Sequence, residues 1–248
     1  MVNYMKSECY RLLHKKGLYL TSLLCFLLIA AAGAALAYFK EHEPGFPYAT
    51  TGFFYSNVIG SGWLVIVIGT LFNFALTGKD LSVVKQTVSF GISRTMIFWG
   101  KLILTLGYFL LICSAGVVFM IALGENLLDS NPQSVQTFLM ACVNMAPLVL
   151  SGFFLTHTLK MLKVGEVYIT IVLILIFGFL SNLLRLLRAF PGLNELYKYV
   201  PDTLFNKNLI YFMDGSVAFS YQNWLIGLGI SVIALLIGAK RFANQNID

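Results

Sequence analysis

Residues 78–101 read GKDLSVVKQTVSFGISRTMIFWGK, a short basic segment that separates two long apolar runs. The spacing predicts a helix over residues 80–89, because Leu81, Val84 and Val88 recur every three or four residues and therefore share one face. The polar residues of the segment fall on its other faces. A small amphipathic helix held against a membrane contacts either lipid headgroups or another protein, and which of the two it contacts decides the function.

The residues after this helix carry signals for its end and for the start of the next helix. Gly91 is predicted to end it, because glycine readily takes the left-handed conformation that closes a helix. Ser93 is predicted to be the N-cap of the following helix, which Arg94 enters at its base. We expect Arg94 and Lys101 at the membrane boundary, where they anchor the following span.

The composition indicates an integral membrane protein. Of the 248 residues, 58% are hydrophobic and only 11% are charged, and the mean hydropathy is +0.80. A soluble domain carries about 25% charged residues, and a soluble core cannot hide so large a deficit. The cysteines are expected to be unpaired core residues, because three of the 4 lie inside apolar runs and none has the spacing of a metal-ligand pair.

Six apolar runs predict an all-α fold in a single transmembrane domain, residues 1–248. The predicted spans cover approximately residues 17–39, 58–77, 97–123, 138–159, 167–184 and 224–239. Residues 3–16 predict a cationic amphipathic helix in the interface, or else a solvated start to the first span. Short outer helices are predicted at residues 193–200 and 203–212, between the fifth and sixth spans.

The distribution of charge predicts the orientation. With the N-terminus inside, the inner segments hold twelve of the 17 Lys and Arg residues but only four of the 11 Asp and Glu residues. The positive-inside rule therefore puts both termini in the cytoplasm, together with residues 78–101. The same distribution accounts for the net charge of +6 without a nucleic-acid partner. We expect a multi-pass protein of the plasma membrane.

The sequence contains no motif for chemistry of its own. No stretch matches the phosphate-binding loop G-x-x-x-x-G-K-[ST], and none matches the common hydrolase or metalloprotease motifs. No predicted span has a carboxylate, Lys or Arg near its centre, whereas proton- and sodium-coupled carriers usually need such a group there. We therefore expect no enzyme activity, no metal and no cofactor on this chain, and an energy source outside it.

A loose pattern runs along the whole chain: a glutamate in the N-terminal helix, Gly-x-Ser-Arg before an apolar stretch and a lysine, and a proline in the outer segment. Its residues are Glu8, Gly91, Ser93, Arg94, Lys101 and Pro201. With six spans and an amphipathic helix between the second and third, the chain resembles the ABC-2 type permeases, the membrane subunits of one class of ABC transporters. Its size and short loops are most similar to permeases of lantibiotic- and bacitracin-type immunity exporters.

The resemblance implies a pair of permeases, either two copies of this chain or this chain and a related one, above two ATPase subunits that bind ATP and Mg²⁺. It also implies that the helix after the second span is a coupling helix, seated in a groove of the ATPase. A helix that only anchored headgroups would need a broader basic face than Lys79 and Lys85 supply. The coupling residues would be Asp80, Leu81, Val84, Lys85, Val88, Phe90, Gly91 and Arg94.

The resemblance further implies that the second and fifth spans line the translocation path. The candidate residues on these spans are Thr70, Phe72, Asn73, Thr170, Phe177, Ser181 and Asn182. A wall that is mostly apolar, with a few amides and hydroxyls, suits an amphipathic or hydrophobic cargo such as an antimicrobial peptide or a lipid-like molecule.

Two other functions remain open from the sequence. One is a membrane-embedded enzyme or assembly factor whose outer segment, residues 185–222, acts on a lipid headgroup. Its residues would include Arg185, Arg188, Glu195 and Asp202. The other is a scaffold that anchors a sensor complex and transports nothing. An ATPase reading frame beside the gene would favour the exporter over both.

Overall fold

The computed structural model describes residues 2–43, 45–77, 82–186, 190, 193 and 195–245. The helices in chain order are α1 (Val2–Leu13), α2 (Lys16–His42), α3 (Thr51–Gly60), α4 (Gly62–Thr77), α5 (Ser82–Ser89), α6 (Arg94–Leu127), α7 (Ser134–Met161), α8 (Glu166–Ile174), α9 (Leu180–Arg185), α10 (Pro201–Met213) and α11 (Tyr221–Asn244). A π-helical segment, Leu175–Phe179, joins α8 to α9, and a 3₁₀ turn, Leu196–Tyr199, precedes α10. Within the described residues the fold is all-α, as predicted.

Five stretches of the described chain are long and apolar enough to cross a membrane: α2, α6, α7, the continuous stretch Glu166–Arg185, and α11. A further candidate consists of α3 and α4 taken together, which are bent by 58° relative to each other. The outward faces of α2, α8 and α11 carry exposed leucine, isoleucine and valine side chains. The chain is therefore a multi-pass helical membrane protein.

The second predicted span differs most from its prediction. The sequence predicts a helix that starts at residue 58, but α3 already begins at Thr51, and the Thr50 side chain caps it by accepting a hydrogen bond from Phe53 N at 3.2 Å. The predicted span 58–77 leaves Phe54 and Tyr55 outside the helix. Phe54 and Tyr55 instead lie inside α3 and are fully buried, so that part of the prediction is wrong.

The break between α3 and α4 falls at Ser61, between two glycines. Gly62 allows α10 to come very close, since a Cβ atom there would lie 2.6 Å from the ring of Phe205. Gly60 likewise faces Leu209 of α10, with its would-be Cβ 3.2 Å from that side chain. The bend therefore allows α10 to pack closely against both α3 and α4.

α7 is the centre of the bundle. In the most apolar stretch of α7, 56% of the residues are buried, whereas the most apolar stretches of α2 and α6 are each only 11% buried. α11 packs closely along it: a Cβ atom at Gly227 would lie 2.5 Å from the backbone of Pro147, and one at Gly238 would lie 2.6 Å from Thr158. Small residues permit such close helix contacts in lipid, where dispersion and hydrogen bonds hold helices together.

Candidate functional site

The inner face of α5 packs against the chain's own bundle. Val84 is buried in a cluster with Tyr4 of α1, Ile97 and Phe98 of α6, Met161 of α7 and Phe242 of α11. Val88 lies beside the same cluster. Both valines are predicted from the sequence to contact a groove of the ATPase, but in the structure they hold α5 against the bundle. We call this end of the bundle the α5 end. It consists of α1, α5, the last turn of α4, the start of α6 and the last turns of α7 and α11.

The C-terminal end of α5 is closed as the sequence predicts. Gly91 has φ of +81°, and its N–H donates to Val88 O at 2.9 Å, while Ile92 N–H donates to Thr87 O at 3.3 Å. This pair of bonds is the Schellman motif, which needs a left-handed residue at the position of Gly91. Two residues later the Ser93 hydroxyl accepts from Met96 N at 3.3 Å and caps α6. Both predictions are confirmed.

The outer face of α5 is uncovered in the described chain. Lys85, Gln86 and Ser89 are exposed, and the ring of Phe90, one residue past the helix, is 84% exposed. The side chains of Lys85, Gln86 and Phe90 are thus exposed on, or just past, a helix whose opposite face packs against the bundle. The predicted coupling residues Asp80 and Leu81 lie outside the described residues.

Arg94 ties the start of α6 to the end of α11. Its guanidinium donates to Ala243 O at 3.2 Å and also to Gln245 O. The last carbonyls of a helix have no partner within the helix, so a guanidinium placed there satisfies them and favours the helix dipole. Arg94 therefore links the segment between α5 and α6 directly to the end of α11.

Lys101 is the least expected member of the site, because it is only 1% exposed. Its ammonium group donates to Glu8 Oε2 of α1 at 3.2 Å and to Leu76 O of α4 at 2.7 Å. Glu8 is also buried, and its second carboxylate oxygen accepts from Arg11 at 2.7 Å. One lysine thus joins α1, α4 and α6 through buried polar contacts. Its partners Glu8 and Leu76 O could not be predicted from the sequence, which indicated only a lysine at the membrane boundary.

The inner face of α1 consists of Tyr4, Glu8 and Leu12, all of which are buried. Burial, together with the nearby Glu8 carboxylate, raises the pKa of the Tyr4 phenol above its usual range, so this hydroxyl stays neutral. α1 is therefore docked to the bundle by a charged residue flanked by two apolar ones.

A second polar chain runs beside Lys101, through α4, α7 and α6. Asn73 Nδ2 donates to His157 Nδ1 at 3.1 Å, and His157 Nε2 donates to Phe98 O at 3.1 Å. Thr77 donates to the side chain of Asn73 at 2.9 Å. All three side chains are fully buried. Asn73, predicted to line the path, therefore serves as a helix–helix contact.

A cavity of about 380 Å³ lies between α4 and the α8–π segment. It is lined by Trp63, Ile66, Val67, Thr70, Thr170, Leu173, Ile174, Phe177, Gly178 and Phe179. The Thr70 hydroxyl already donates to Ile66 O at 3.0 Å, and the Thr170 hydroxyl to Glu166 O at 3.0 Å. The wall thus offers an incoming molecule mainly apolar surface.

Three of the predicted path residues, Thr70, Thr170 and Phe177, line this cavity. The other four do not. Phe72 is buried against Tyr108 and Phe109 of α6, with ring centroids 5.4 and 6.2 Å away. Besides Asn73, Ser181 is buried at the outer end of the fifth span, and Asn182 is exposed.

The π-helical segment changes the register of the fifth span beside the cavity. Its last residue, Phe179, leaves helical geometry with φ −129° and ψ −8°. The Ser181 N–H that follows donates to Asp202 Oδ2 of α10 at 3.0 Å, and Thr203 N–H donates to Asp202 Oδ1 at 2.9 Å. Such π segments occur mostly as single-turn insertions and frequently at functional sites. Asp202 thus fastens the outer helix to the break in the fifth span.

The residues proposed for an outer enzyme site are occupied in structural contacts. Asp202 is buried in the hydrogen bonds just described. Arg185 lies over the Tyr197 ring at 5.7 Å, and Glu195 pairs with Lys198. Arg188 lies outside the described residues. Among the described residues, no three His, Cys, Asp or Glu side chains are grouped so as to hold a metal ion.

The site so far rests on the geometry of this chain alone. No protein-family model matches the sequence, and neither a curated protein nor a solved structure matches it.

Proposed function

We propose that this chain is the membrane-spanning permease subunit of an ATP-driven ABC exporter, with energy from a separate ATPase subunit. The observation that carries the proposal is the construction of α5. Its inner face is fixed by Val84 and Val88 to a cluster drawn from four other helices, while Lys85 and Phe90 project outward uncovered. A helix that is rigidly mounted and bare on one face suits a docking element for a partner protein.

The contacts around α5 supply a route for movement from a partner to the cavity. Lys101 binds Leu76 O in the last turn of α4, and farther back along the same helix Thr70, about two turns away, and Trp63, about four turns away, line the cavity. A displacement of the α5 end therefore moves α4 as a rigid rod and changes the cavity wall. ATP and Mg²⁺ would be bound by the partner, since this chain has no phosphate-binding loop.

We infer that α3 and α4 cross the membrane as one bent span, which gives six spans in all. Thr51 N, at the start of α3, donates to Asp129 O just past the far end of α6, at 3.1 Å. At the other end of the pair, Leu76 O accepts a hydrogen bond from Lys101, near the start of α6. Lys101 in turn pairs with Glu8 of α1. Both termini then lie on the α5 side, which the basic residues assign to the cytoplasmic face of the plasma membrane.

The apolar cavity supports an amphipathic or hydrophobic cargo, either an antimicrobial peptide or a lipid-like molecule. Among the described residues its wall belongs to the second and fifth spans, so a second permease, identical or related, would complete the path. The exposed apolar faces of α2, α8 and α11 are available for such a partner as well as for lipid. Export of a toxic peptide as self-protection is the biological role we propose.

The test is to purify the native complex under mild conditions and to identify its soluble partner by mass spectrometry. We expect a P-loop ATPase, lost when Phe90→Ala and Lys85→Ala are combined. Tyr221→Ala is the matched control, because this ring is also 79% exposed but starts α11, at the other end of the bundle. Partner loss in the control alone, or retention of the ATPase by the double variant, would contradict the proposed docking site.

A further inference from the structure

A second concave surface lies away from the cavity, between the end of α7 and the last turns of α11. This groove has a volume of about 810 Å³. Leu159, Leu162 and Val164 form one wall, and Ile237, Lys240 and Arg241 of α11 form the other. No function proposed above uses it.

The groove has two cations that no described residue pairs with. Neither Lys240 nor Arg241 forms an ion pair or hydrogen bond with any described residue, and no residue of the groove's lining is acidic. Glu166, the first residue of α8, already accepts from Lys160 at 2.8 Å. Elsewhere at the α5 end the buried or half-buried cations are satisfied, as Arg94 and Lys101 show.

Apart from Asn244 and Gln245, the remaining lining is apolar. Leu159 and Ile237 lie within α7 and α11, on the side of the groove toward the middle of the helices, and Leu162 and Val164 follow the end of α7. A soluble anion would use the cations but not this wall, and an uncharged lipid would use the wall but not the cations. A molecule with an anionic head and a hydrocarbon tail uses both, and basic pockets between transmembrane helices bind such headgroups.

We propose that this groove binds an anionic phospholipid, whose phosphate contacts Lys240 and Arg241 and whose acyl chain lies against Leu159 and Ile237. The planar guanidinium of Arg241 can contact two phosphate oxygens at once, and Lys240 adds a point charge. Because Arg94 holds Ala243 O and Gln245 O just beyond the two cations, a bound lipid also steadies the contact between α6 and α11. The proposal does not depend on an ATPase partner.

The test uses the purified full chain in an uncharged detergent and native mass spectrometry. Phosphatidylglycerol and phosphatidylcholine with the same acyl chains are titrated separately. We expect tighter binding of phosphatidylglycerol, and the Lys240→Gln/Arg241→Gln double variant should weaken it by about thirty-fold, from the usual contribution of two cations near anionic lipid. Phosphatidylcholine binding should change little.

The matched control removes two other exposed cations, Lys6→Gln and Lys163→Gln, neither of which lines the groove. An equal loss in this control would show only diffuse attraction and would overturn the site. A second variant, Val164→Trp, fills the apolar wall without a change of charge and should weaken both lipids. Undiminished binding by Val164→Trp, or equal competition by glycerol 3-phosphate, would overturn the lipid as the occupant.

Discussion

The two ends of the bundle are held together by different chemistry. At the α5 end, buried or half-buried charges make the links: Lys101 to Glu8, and Arg94 to the carbonyls that end α11. At the opposite end, neutral amides join α10 to α7 and the start of α11, the buried Asp202 carboxylate accepts from backbone amides, and the Lys40–Asp129 ion pair is largely exposed. Asn144 donates to Ala218 O at 2.8 Å, and Asn208 donates to Ala141 O at 2.9 Å.

This difference predicts which end transmits force and which end changes shape. Breaking a buried charged contact costs several times more than breaking one neutral hydrogen bond, so the α5 end should move as a unit. The irregular parts of the two cavity-lining spans, the bend at Ser61 and the π segment, both lie toward the opposite end and against α10. The following substitutions test the comparison, from the largest expected effect to the smallest.

Lys101→Met should be the most destabilising single change. It leaves the buried Glu8 carboxylate with Arg11 alone and leaves Leu76 O without the ammonium that it accepts from. We expect a loss of about 3 kcal/mol in the free energy of unfolding, the lower end of the range for a broken buried ion pair. Unfolding in mixed micelles measures it.

Two further variants separate the charge from the packing in this contact. Lys6→Met, on the exposed side of α1, should change stability by less than about 0.5 kcal/mol. Adding Glu8→Gln to Lys101→Met should recover part of the loss, because no uncompensated carboxylate then stays buried. If the double variant is as unstable as the sum of the two single changes, Glu8 and Lys101 are not coupled and the α5 end is not held by charge.

Asp202→Ala tests the opposite end. It removes the acceptor for the Ser181 and Thr203 amides, and a buried donor left unpaired costs about 2 kcal/mol. Faster hydrogen exchange should be confined to the start of α9 and the first turn of α10. Asp214→Ala is the control, since this exposed acid ends α10 and its loss should be neutral. Exchange that spreads to α5 would show that the two ends are not independent.

The local features of this fold could be predicted from sequence, and the contacts between helices could not. Gly91 and Ser93 form hydrogen bonds to residues only a few positions away in the chain. Their residue type and spacing were therefore sufficient to predict the end of α5 and the cap of α6. The partners Glu8 and Lys101 are 93 positions apart, and only the packing of α1 on α6 brings them together. A lysine seven residues after Arg94, the base of the span, was a usable signal, because a fully lipid-facing helix excludes it.

The path residues were harder to predict, because the second span is apolar on every side. Hydrophobic periodicity marks the buried face of a helix only when the other face meets water. Phe72 and Asn73 are neighbours of the cavity residues in sequence but face α6 and α7. The bend at Ser61 had a signal, the flanking glycines, although the apolar run continues through it without interruption.

Gly91→Ala should have a smaller and local effect. No atom lies within 4 Å of a Cβ built there, so the cost comes only from the left-handed φ of +81°. For an alanine this is about 1 kcal/mol. We expect faster hydrogen exchange at the last turn of α5, with the rest of the bundle unchanged. Asn in place of Gly91 should cost less, because asparagine tolerates this conformation; an equal cost would mean that φ is not what limits this position.

Phe90→Ala should have almost no effect on folding, and this absence is informative. The ring is 84% exposed and contributes little buried area, so the free energy of unfolding should change by less than about 0.5 kcal/mol. Val84→Ala, two turns away on the inner face, should cost about 2 kcal/mol through the cavity that it leaves.

The comparison of these two variants separates the residue that holds α5 against the bundle from the residue that α5 exposes. A Phe90→Ala protein that folds normally and loses its partner would place the ring in the interface. If Phe90→Ala were instead as unstable as Val84→Ala, the ring would belong to the bundle, and the outer face of α5 would lose its only large apolar contact among the described residues.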